Sequence, residues 1–171
     1  KCFYEKGQAY HHIFDKEKGW FRPRKADGTW VEWPENARLK EWYGCIEANS
    51  YQQGWFVPHD VDGLVNLMGG EDAFVQKLDS LFTVDSSLEG EMISSDISGL
   101  IGQYAHGNEP SHHVIHLYNY VNRPWRTQEL VDSVYQSQYA NSTDGLSGNE
   151  DCGQMSAWYI LNSMGFYQAY S

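Results

Sequence analysis

One stretch decides the fold class of this chain: Glu71-Asp72-Ala73-Phe74-Val75-Gln76-Lys77-Leu78-Asp79-Ser80-Leu81-Phe82. Its apolar residues recur three and four positions apart, so they share one face of an α-helix. Its first turn is acidic, and the dipole of a helix favours negative charge at that end. The stretch therefore predicts an amphipathic helix whose apolar face packs against other elements.

Helical patterns also lie on both sides of this stretch. Upstream, Asp60 is a predicted N-cap, and Gly69-Gly70 is the predicted end of that helix. Residues 20–34 contain Asp27-Gly28, which favours an extended loop or a small hairpin. The other predicted helices cover residues 2–14, 49–56, 61–68, 110–121, 127–139 and 153–164. We therefore predict a nearly all-α fold with long loops at alternate helix ends.

The last predicted helix is rich in large apolar side chains. Apolar residues on a helix normally form the face that packs on the core. We expect this buried face to consist of Trp158, Tyr159, Ile160, Leu161 and Phe166.

Length, charge and hydropathy restrict the classes of function. A chain of 171 residues fits one domain with one core. Its formal net charge of −11 argues against nucleic acid as a partner, because phosphate binding needs clustered Lys and Arg. No apolar run approaches the roughly 20 residues of a membrane span. Cys2, Cys45 and Cys152 lack metal-ligand spacing and leave at least one thiol unpaired.

Glu47 is the first candidate for acid–base chemistry. It precedes a predicted helix and has aromatic residues on both sides in the sequence, namely Trp42, Tyr43, Tyr51 and Trp55. If these rings bury the carboxyl group, they raise its pKa, as a general acid at neutral pH requires. The alternative is a capping or solvated glutamate.

Asp151 lies just before the last predicted helix, where an N-cap, a general base or a metal-associated ligand are all open roles. Asp144 and Glu150 compete for the same role, and their spacing does not separate them. Asn108 and Glu109 precede another predicted helix. Their hard oxygen atoms suit Ca²⁺ better than Zn²⁺.

Two other groups of side chains suit ligands. His112 and His116 are four residues apart on a predicted helix and could chelate zinc, although no Glu follows the first His as in an HExxH motif. Otherwise His112, His113 and His116 are helix histidines that contact partners inside the protein or the hydroxyl groups of a sugar. The amides of Asn49 and Gln52 offer neutral donors and acceptors, which a sugar ring needs.

Several longer motifs occur in a fixed order along the chain. They are Phe56-Val57-Pro58-His59-Asp60, His106-Gly107-Asn108-Glu109-Pro110-Ser111-His112-His113, Tyr118-Asn119-Tyr120, Pro124-Trp125-Arg126-Thr127-Gln128, and residues 144–159, which include Gly148-Asn149-Glu150-Asp151-Cys152-Gly153-Gln154. Together they closely resemble the catalytic domain of the calcium-dependent α-mannosidases of glycoside hydrolase family 92. The resemblance extends from Tyr10 to Tyr167.

The resemblance implies a fold, a reaction and a cofactor. Members of this family have an N-terminal β-sandwich followed by an α/α toroid of paired helices, with the active site between them. Residues 1–171 resemble the late portion of the toroid alone, so the β-sandwich and the early helices are absent from this chain. The implied reaction is exo-acting, inverting hydrolysis of α-mannosides, most often α-1,2-linked, with the help of Ca²⁺.

The resemblance also implies roles for individual residues. Glu47 resembles the general acid and Asp151 the general base. Asn108, Glu109 and Asp151 are the implied calcium contacts. The implied sugar contacts are Asn49, Gln52, His106, His112 and His113.

The implied partners are a mannose-containing glycan and an N-terminal domain outside this chain. The implied location is secreted, periplasmic or at the cell surface. Two further hypotheses stay open. One is a non-catalytic carbohydrate-binding or structural fragment, and the other is a zinc hydrolase built on His112 and His116.

Overall fold

Helices dominate the computed structural model, which describes residues 2–167. The α-helices of this part of the chain are α1 (Cys2–Gly7), α2 (Ser50–Gln53), α3 (Val61–Leu67), α4 (Glu71–Thr83), α5 (Pro124–Gln138) and α6 (Gln154–Ser163). Its 3-10 helices are Gln8–Ile13, Glu109–Ser111 and Val114–Val121. Two short antiparallel pairs join β1 (Phe14–Asp15) to β2 (Trp20–Phe21) and β3 (Leu100–Ile101) to β4 (Tyr104–Ala105). The fold is mostly helical, which confirms the nearly all-α prediction in part.

The stretch that predicted the fold class forms α4, and its apolar face is buried as expected. Phe74, Leu78, Leu81 and Phe82 all lie in the core. The ring of Phe74 packs edge-on against Trp55, with ring centroids 5.5 Å apart. Aromatic pairs in this orientation add stabilisation beyond the area that they bury. Helix α4 is therefore one wall of the core.

The boundaries of α3 follow the predicted signals. One carboxylate oxygen of Asp60 accepts a hydrogen bond of 3.0 Å from the backbone N–H of Gly63, so Asp60 is the N-cap. Beyond the helix, Gly69 and Gly70 have φ angles of 105° and 93°. These values suit glycine and end the helical path.

The helix predicted for residues 110–121 is instead a pair of 3-10 helices. Six of the eight residues in Val114–Val121 are buried, so this segment crosses the core instead of lying on its surface. Tertiary packing then selects a tighter turn than the sequence pattern predicts. Residues 2–14 differ in a similar way, because the α-helix ends at Gly7 and continues as a 3-10 helix before β1.

Helix α6 contradicts the prediction of a broad buried face. It buries only Met155 and Trp158. The expected partners Tyr159, Ile160, Leu161 and Phe166 are between 41% and 65% exposed. The pattern is ambiguous because the helix is apolar on several sides, while the described elements cover one side alone.

No helix within residues 2–167 combines the length and the apolar character needed to cross a membrane. The thiols of Cys2, Cys45 and Cys152 are all free, and Cys2 and Cys152 are exposed.

Candidate active site

Two of the sequence motifs touch through glycines. A Cβ atom on Gly148 would lie 2.9 Å from the Cα of Gly107, and one on Gly107 would lie 2.7 Å from the carbonyl oxygen of Ser147. The hydroxyl of Ser98 donates a hydrogen bond to the same carbonyl. Only glycine permits this approach of one backbone to another. The contact therefore joins the loop of residues 106–109 to the loop of residues 147–153.

Substitution of Gly107 by alanine should separate these loops. The new Cβ would lie 2.0 Å from the hydroxyl oxygen of Ser98. Overpacking of this kind costs about 1–3 kcal/mol, so we expect a lower free energy of unfolding in chemical denaturation. Gly7→Ala is the matched control, because its Cβ would meet only the His59 ring at 3.6 Å and its φ is −58°. Equal stabilities for the two variants would contradict the contact.

Asp151 does not cap the helix that follows it. Asp151, Cys152 and Gly153 have φ angles of 51°, 56° and 94°, and Gly153 takes the N-cap position without a side-chain cap. Three consecutive residues in the left-handed region reverse the chain before α6. The carboxyl group of Asp151 is thereby free to face Glu109, with which it shares a hydrogen bond. The capping role left open by the sequence is excluded.

The charges around Asp151 are mostly negative. Desolvation, followed by the charge of Glu109 and by their shared hydrogen bond, raises the pKa of Asp151 above its ordinary value. Asp96 raises it further, while His112 opposes the shift. A carboxylate with a raised pKa is a stronger base when it is ionised. The geometry thus gives Asp151 a property that a general base needs.

Glu47 reaches the same region through its backbone. Its carbonyl oxygen accepts a hydrogen bond of 3.0 Å from the side-chain amide of Asn108, which is 61 residues away. Its φ of 52° marks a tight bend. The carboxyl group is exposed, so the expected burial among aromatic rings is absent from the described residues. Asn108 contacts Glu47, and the next residue, Glu109, interacts with Asp151. The structure therefore brings Glu47 and Asp151 to adjacent residues of one loop.

The implied calcium contacts are partly assembled. The carboxyl groups of Glu109 and Asp151 face each other, and a hard cation would relieve the repulsion between them when both are ionised. Asn108 uses its amide nitrogen for Glu47, which leaves its oxygen as the possible ligand. Within residues 2–167, no three His, Cys, Asp or Glu side chains form a metal-binding group. A complete calcium sphere would need further oxygen atoms.

All five implied sugar contacts are buried in the described structure. They are Asn49, Gln52, His106, His112 and His113. Asn49 and Gln52 form a reciprocal capping box at the start of α2, and the Asn49 amide also donates to Gln103 at 2.8 Å. Their observed contacts position the segment that follows Glu47.

The His106 ring lies in an internal hydrogen-bond chain. Its Nε2 contacts the hydroxyl of Tyr139 at 2.8 Å, and that hydroxyl donates to the carbonyl of Met155. Nε2 therefore carries the proton, and Nδ1 accepts from the hydroxyl of Tyr104 at 2.9 Å. Burial lowers the pKa of His106 to about 3, so the ring is neutral.

His112 and His113 also have internal partners. His112 donates from Nε2 to the carbonyl of His106 at 2.8 Å, so its Nδ1 is left to accept from Gln154 at 3.3 Å. His113 donates to the carbonyl of Trp55 at 3.1 Å. Because both ring nitrogens of His112 are engaged, the structure does not support a zinc site on His112 and His116.

The sequence analysis missed two acidic residues. Asp96 accepts a hydrogen bond from Asn149 at 3.3 Å and adds to the negative charge near Asp151. Glu41 is only 5% exposed, and neither of its carboxylate oxygens has a hydrogen-bond partner among the described residues. Burial raises the pKa of Glu41 to about 7, and the nearby Asn49 side chain lowers it slightly. Neither residue stands in a motif that indicates such contacts.

Glu41→Gln should stabilise the protein at alkaline pH. The folded state holds a proton on Glu41 up to about pH 7, whereas the unfolded chain releases it near the ordinary pKa of 4.5. The wild type therefore loses stability as the pH rises between these values. At pH 8 we expect Glu41→Gln to change the free energy of unfolding more favourably than at pH 4.5, by on the order of 2 kcal/mol.

The measurement for this variant is urea unfolding at both pH values. Glu91→Gln is the matched control, since Glu91 is exposed and follows Gly90, whose backbone lies against Glu41. The same pH dependence in wild type and Glu41→Gln would disprove the role of Glu41.

Comparisons with known proteins identify the family of this chain. The family described as the glycosyl hydrolase family 92 catalytic domain matches residues 1–171. A family GH92 α-mannosidase of Bacteroides thetaiotaomicron, solved with mannoimidazole, is 40% identical over 94% of this chain, with a TM-score of 0.83. A family GH92 inverting mannosidase of the same organism is 34% identical over 97% of the chain, with a TM-score of 0.76.

The chain is also similar to a curated protein. An uncharacterized secreted glycosidase of Arthroderma benhamiae is 32% identical over 87% of the chain. The chain spans 18% of that relative and 22% and 23% of the two solved structures. It therefore corresponds to about a fifth of such proteins. With a family match along its whole length, this chain belongs to the catalytic domains of glycosyl hydrolase family 92.

Proposed function

We propose that this chain carries the acid and base of an exo-acting α-mannosidase that removes terminal α-linked mannose from glycans. The observation that supports this most directly is the meeting of three segments. Asn108 binds the backbone of Glu47, and Glu109 faces Asp151. A carboxyl group and a carboxylate on opposite sides of a bond are the machinery of glycoside hydrolysis.

The two carboxyl groups would have different roles. Glu47 is exposed and would donate its proton to the glycosidic oxygen as the bond breaks. Asp151, with its raised pKa, would accept a proton from the water that attacks the anomeric carbon. An inverting enzyme holds its acid and base roughly 6.5–9.5 Å apart to leave space for this water. Inversion at the anomeric carbon is part of the proposal.

Calcium is the proposed cofactor, held by Glu109, Asp151 and the side-chain oxygen of Asn108. When bound, it would polarise vicinal hydroxyls of the sugar and help to distort the ring. The crowding of Glu109 and Asp151, which raises the pKa of Asp151, supports a cation at this position.

The remainder of the sugar pocket is proposed to come from polypeptide outside this chain. Since the chain spans about a fifth of its relatives, an N-terminal β-sandwich and the other helices of an α/α toroid would complete the site. The curated relative is described as secreted, which supports a secreted, periplasmic or cell-surface location. The α-1,2 linkage is the proposed preference.

The test measures the release of mannose from α-1,2-mannobiose by proton NMR, in the presence of Ca²⁺ or of a chelator. It should be made on the chain alone and on a graft in which the chain replaces the matching segment of the 40%-identical Bacteroides enzyme. We expect the graft to release β-mannose first and to lose activity on chelation. A folded graft without turnover would instead favour a non-catalytic carbohydrate-binding or structural fragment.

A further inference from the structure

Trp42 differs from the other tryptophans of this chain in its surroundings. Six tryptophans pack against another aromatic ring or against an arginine, namely Trp20, Trp30, Trp33, Trp55, Trp125 and Trp158. Within residues 2–167, the Trp42 ring has no such partner, and its indole N–H has no hydrogen-bond acceptor. Trp42 is 39% exposed. Single exposed apolar residues are common, so its exposure alone assigns no role to the ring.

The backbone at Trp42 is strained. Its φ angle is 60°, in the left-handed region that bulky residues rarely adopt. Glycine takes this conformation without a steric cost. Strained backbone of this kind is concentrated at functional sites, where the side chain has a use that offsets the strain. Packing inside the described structure does not supply that use for the Trp42 ring.

Trp42 closes the loop that carries Glu47. Its backbone N–H donates a hydrogen bond of 3.2 Å to the carbonyl oxygen of Ala48, the residue after Glu47. At this closed end, Glu41 and Ala48 are buried, whereas their neighbours Trp42 and Glu47 are exposed. The backbone N–H of Glu41 also donates to the carbonyl oxygen of Glu89 at 2.7 Å, which anchors the loop. Trp42 and Glu47 therefore lie on the outer side of one anchored loop end.

The proposed role of Glu47 determines which ligand comes to this side of the loop. A general acid has to approach the glycosidic oxygen to about 3 Å, and that oxygen departs with the leaving group. The leaving sugar is therefore held beside Glu47. A sugar ring has apolar C–H faces and a polar rim, and an indole offers an apolar face with a polar edge. An unoccupied indole face next to the acid suits this ligand.

We propose that Trp42 is the platform on which the leaving-group sugar stacks, which makes it a specificity-determining residue. The inference deepens the proposed hydrolysis and rests on Glu47 as its acid. Contacts with a part of the substrate remote from the reacting carbon contribute binding energy to catalysis. The platform would thus favour mannosides whose leaving group is a sugar over mannosides with a small leaving group.

The test compares binding of two ligands by calorimetry, in the graft carrying Glu47→Gln so that neither ligand is hydrolysed. Trp42→Gly removes the ring and relieves the strain at φ 60°. We expect its Kd for α-1,2-mannobiose to rise about five- to tenfold, while its Kd for methyl α-mannoside, which lacks the second sugar, changes less than about twofold. In urea unfolding, the variant should be at least as stable as its parent.

Two further variants serve as controls. Trp42→Ala also lacks the ring but keeps the strained backbone, so it should lose mannobiose affinity to the same extent. Trp125→Ala removes a tryptophan that is 50% exposed and lies outside the loop, and it should change neither Kd.

Several results would overturn the platform. They are an unchanged Kd for mannobiose, an equal change for both ligands, normal affinity in Trp42→Ala, which would attribute the loss to a mobile loop, and a destabilised Trp42→Gly, which would make the ring a packing element. Turnover is measured separately, in the graft with Glu47 intact. An active graft whose mannobiose affinity does not depend on Trp42 contradicts the platform alone, whereas a graft that binds mannobiose without hydrolysing it contradicts the proposed hydrolysis.

Discussion

Glu47→Gln is expected to lower kcat/KM for alkyl α-mannosides by about 10²–10⁴-fold, because an amide cannot supply the proton that a general acid donates. The size of the loss should depend on the leaving group. A dinitrophenolate leaves without protonation, so the variant should retain most of its activity on a dinitrophenyl α-mannoside. Steady-state kinetics with both substrates, in the chain or in the active graft, provide the measurement.

Controls for Glu47 separate chemistry from folding. Glu91→Gln removes another exposed carboxyl group and should leave both rates unchanged. The Asn108 bond reaches the backbone carbonyl of Glu47, so Glu47→Gln should not disturb it. An equal loss on the alkyl and dinitrophenyl substrates would argue against Glu47 as the acid.

Asp151→Asn is expected to lower kcat by about 10²–10⁴-fold on both substrates, because the attacking water needs a base whatever the leaving group. In the wild type, kcat/KM should rise with pH as Asp151 ionises. The asparagine variant should lose this dependence, as measured in a pH–rate profile.

Asp144→Asn is the matched control for this experiment, since Asp144 is an exposed carboxyl group in the same loop. The sequence leaves Asp144 and Glu150 as competitors for the role of base. The structure favours Asp151, which faces Glu109, while Glu150 accepts a hydrogen bond from the backbone of Ser156 at 3.2 Å. A large loss in Asp144→Asn with normal activity in Asp151→Asn would reverse the assignment.

Local sequence signals predicted the helices well where local energies dominate. The periodicity of residues 71–82 and the cap at Asp60 both correspond to observed contacts. Val114–Val121 is helical as predicted, but it is a 3-10 helix and not an α-helix, because the surrounding core selects the tighter turn. The exposure of Ile160 depends on what covers α6, and no local pattern contains that information.

The same distinction applies to the candidate site. The motifs contain Asn108, Glu109 and Asp151, and the family resemblance added Glu47. The structure brings these segments together. Glu41 could not be found in this way, because its significance comes from burial without a hydrogen-bond partner within residues 2–167. Burial of a single carboxyl group is a property of the tertiary structure and has no signature in the sequence.

The contact between Gly107 and Gly148 has a consequence for the evolution of this chain. The two residues are far apart in sequence, yet a side chain on Gly148 would collide with the backbone of Gly107. Because the residue at the other position is already glycine, no substitution there can relieve the collision, and the contact restricts both positions to glycine. We therefore expect the segments that connect the two loops, and not the loops themselves, to tolerate insertions and sequence change.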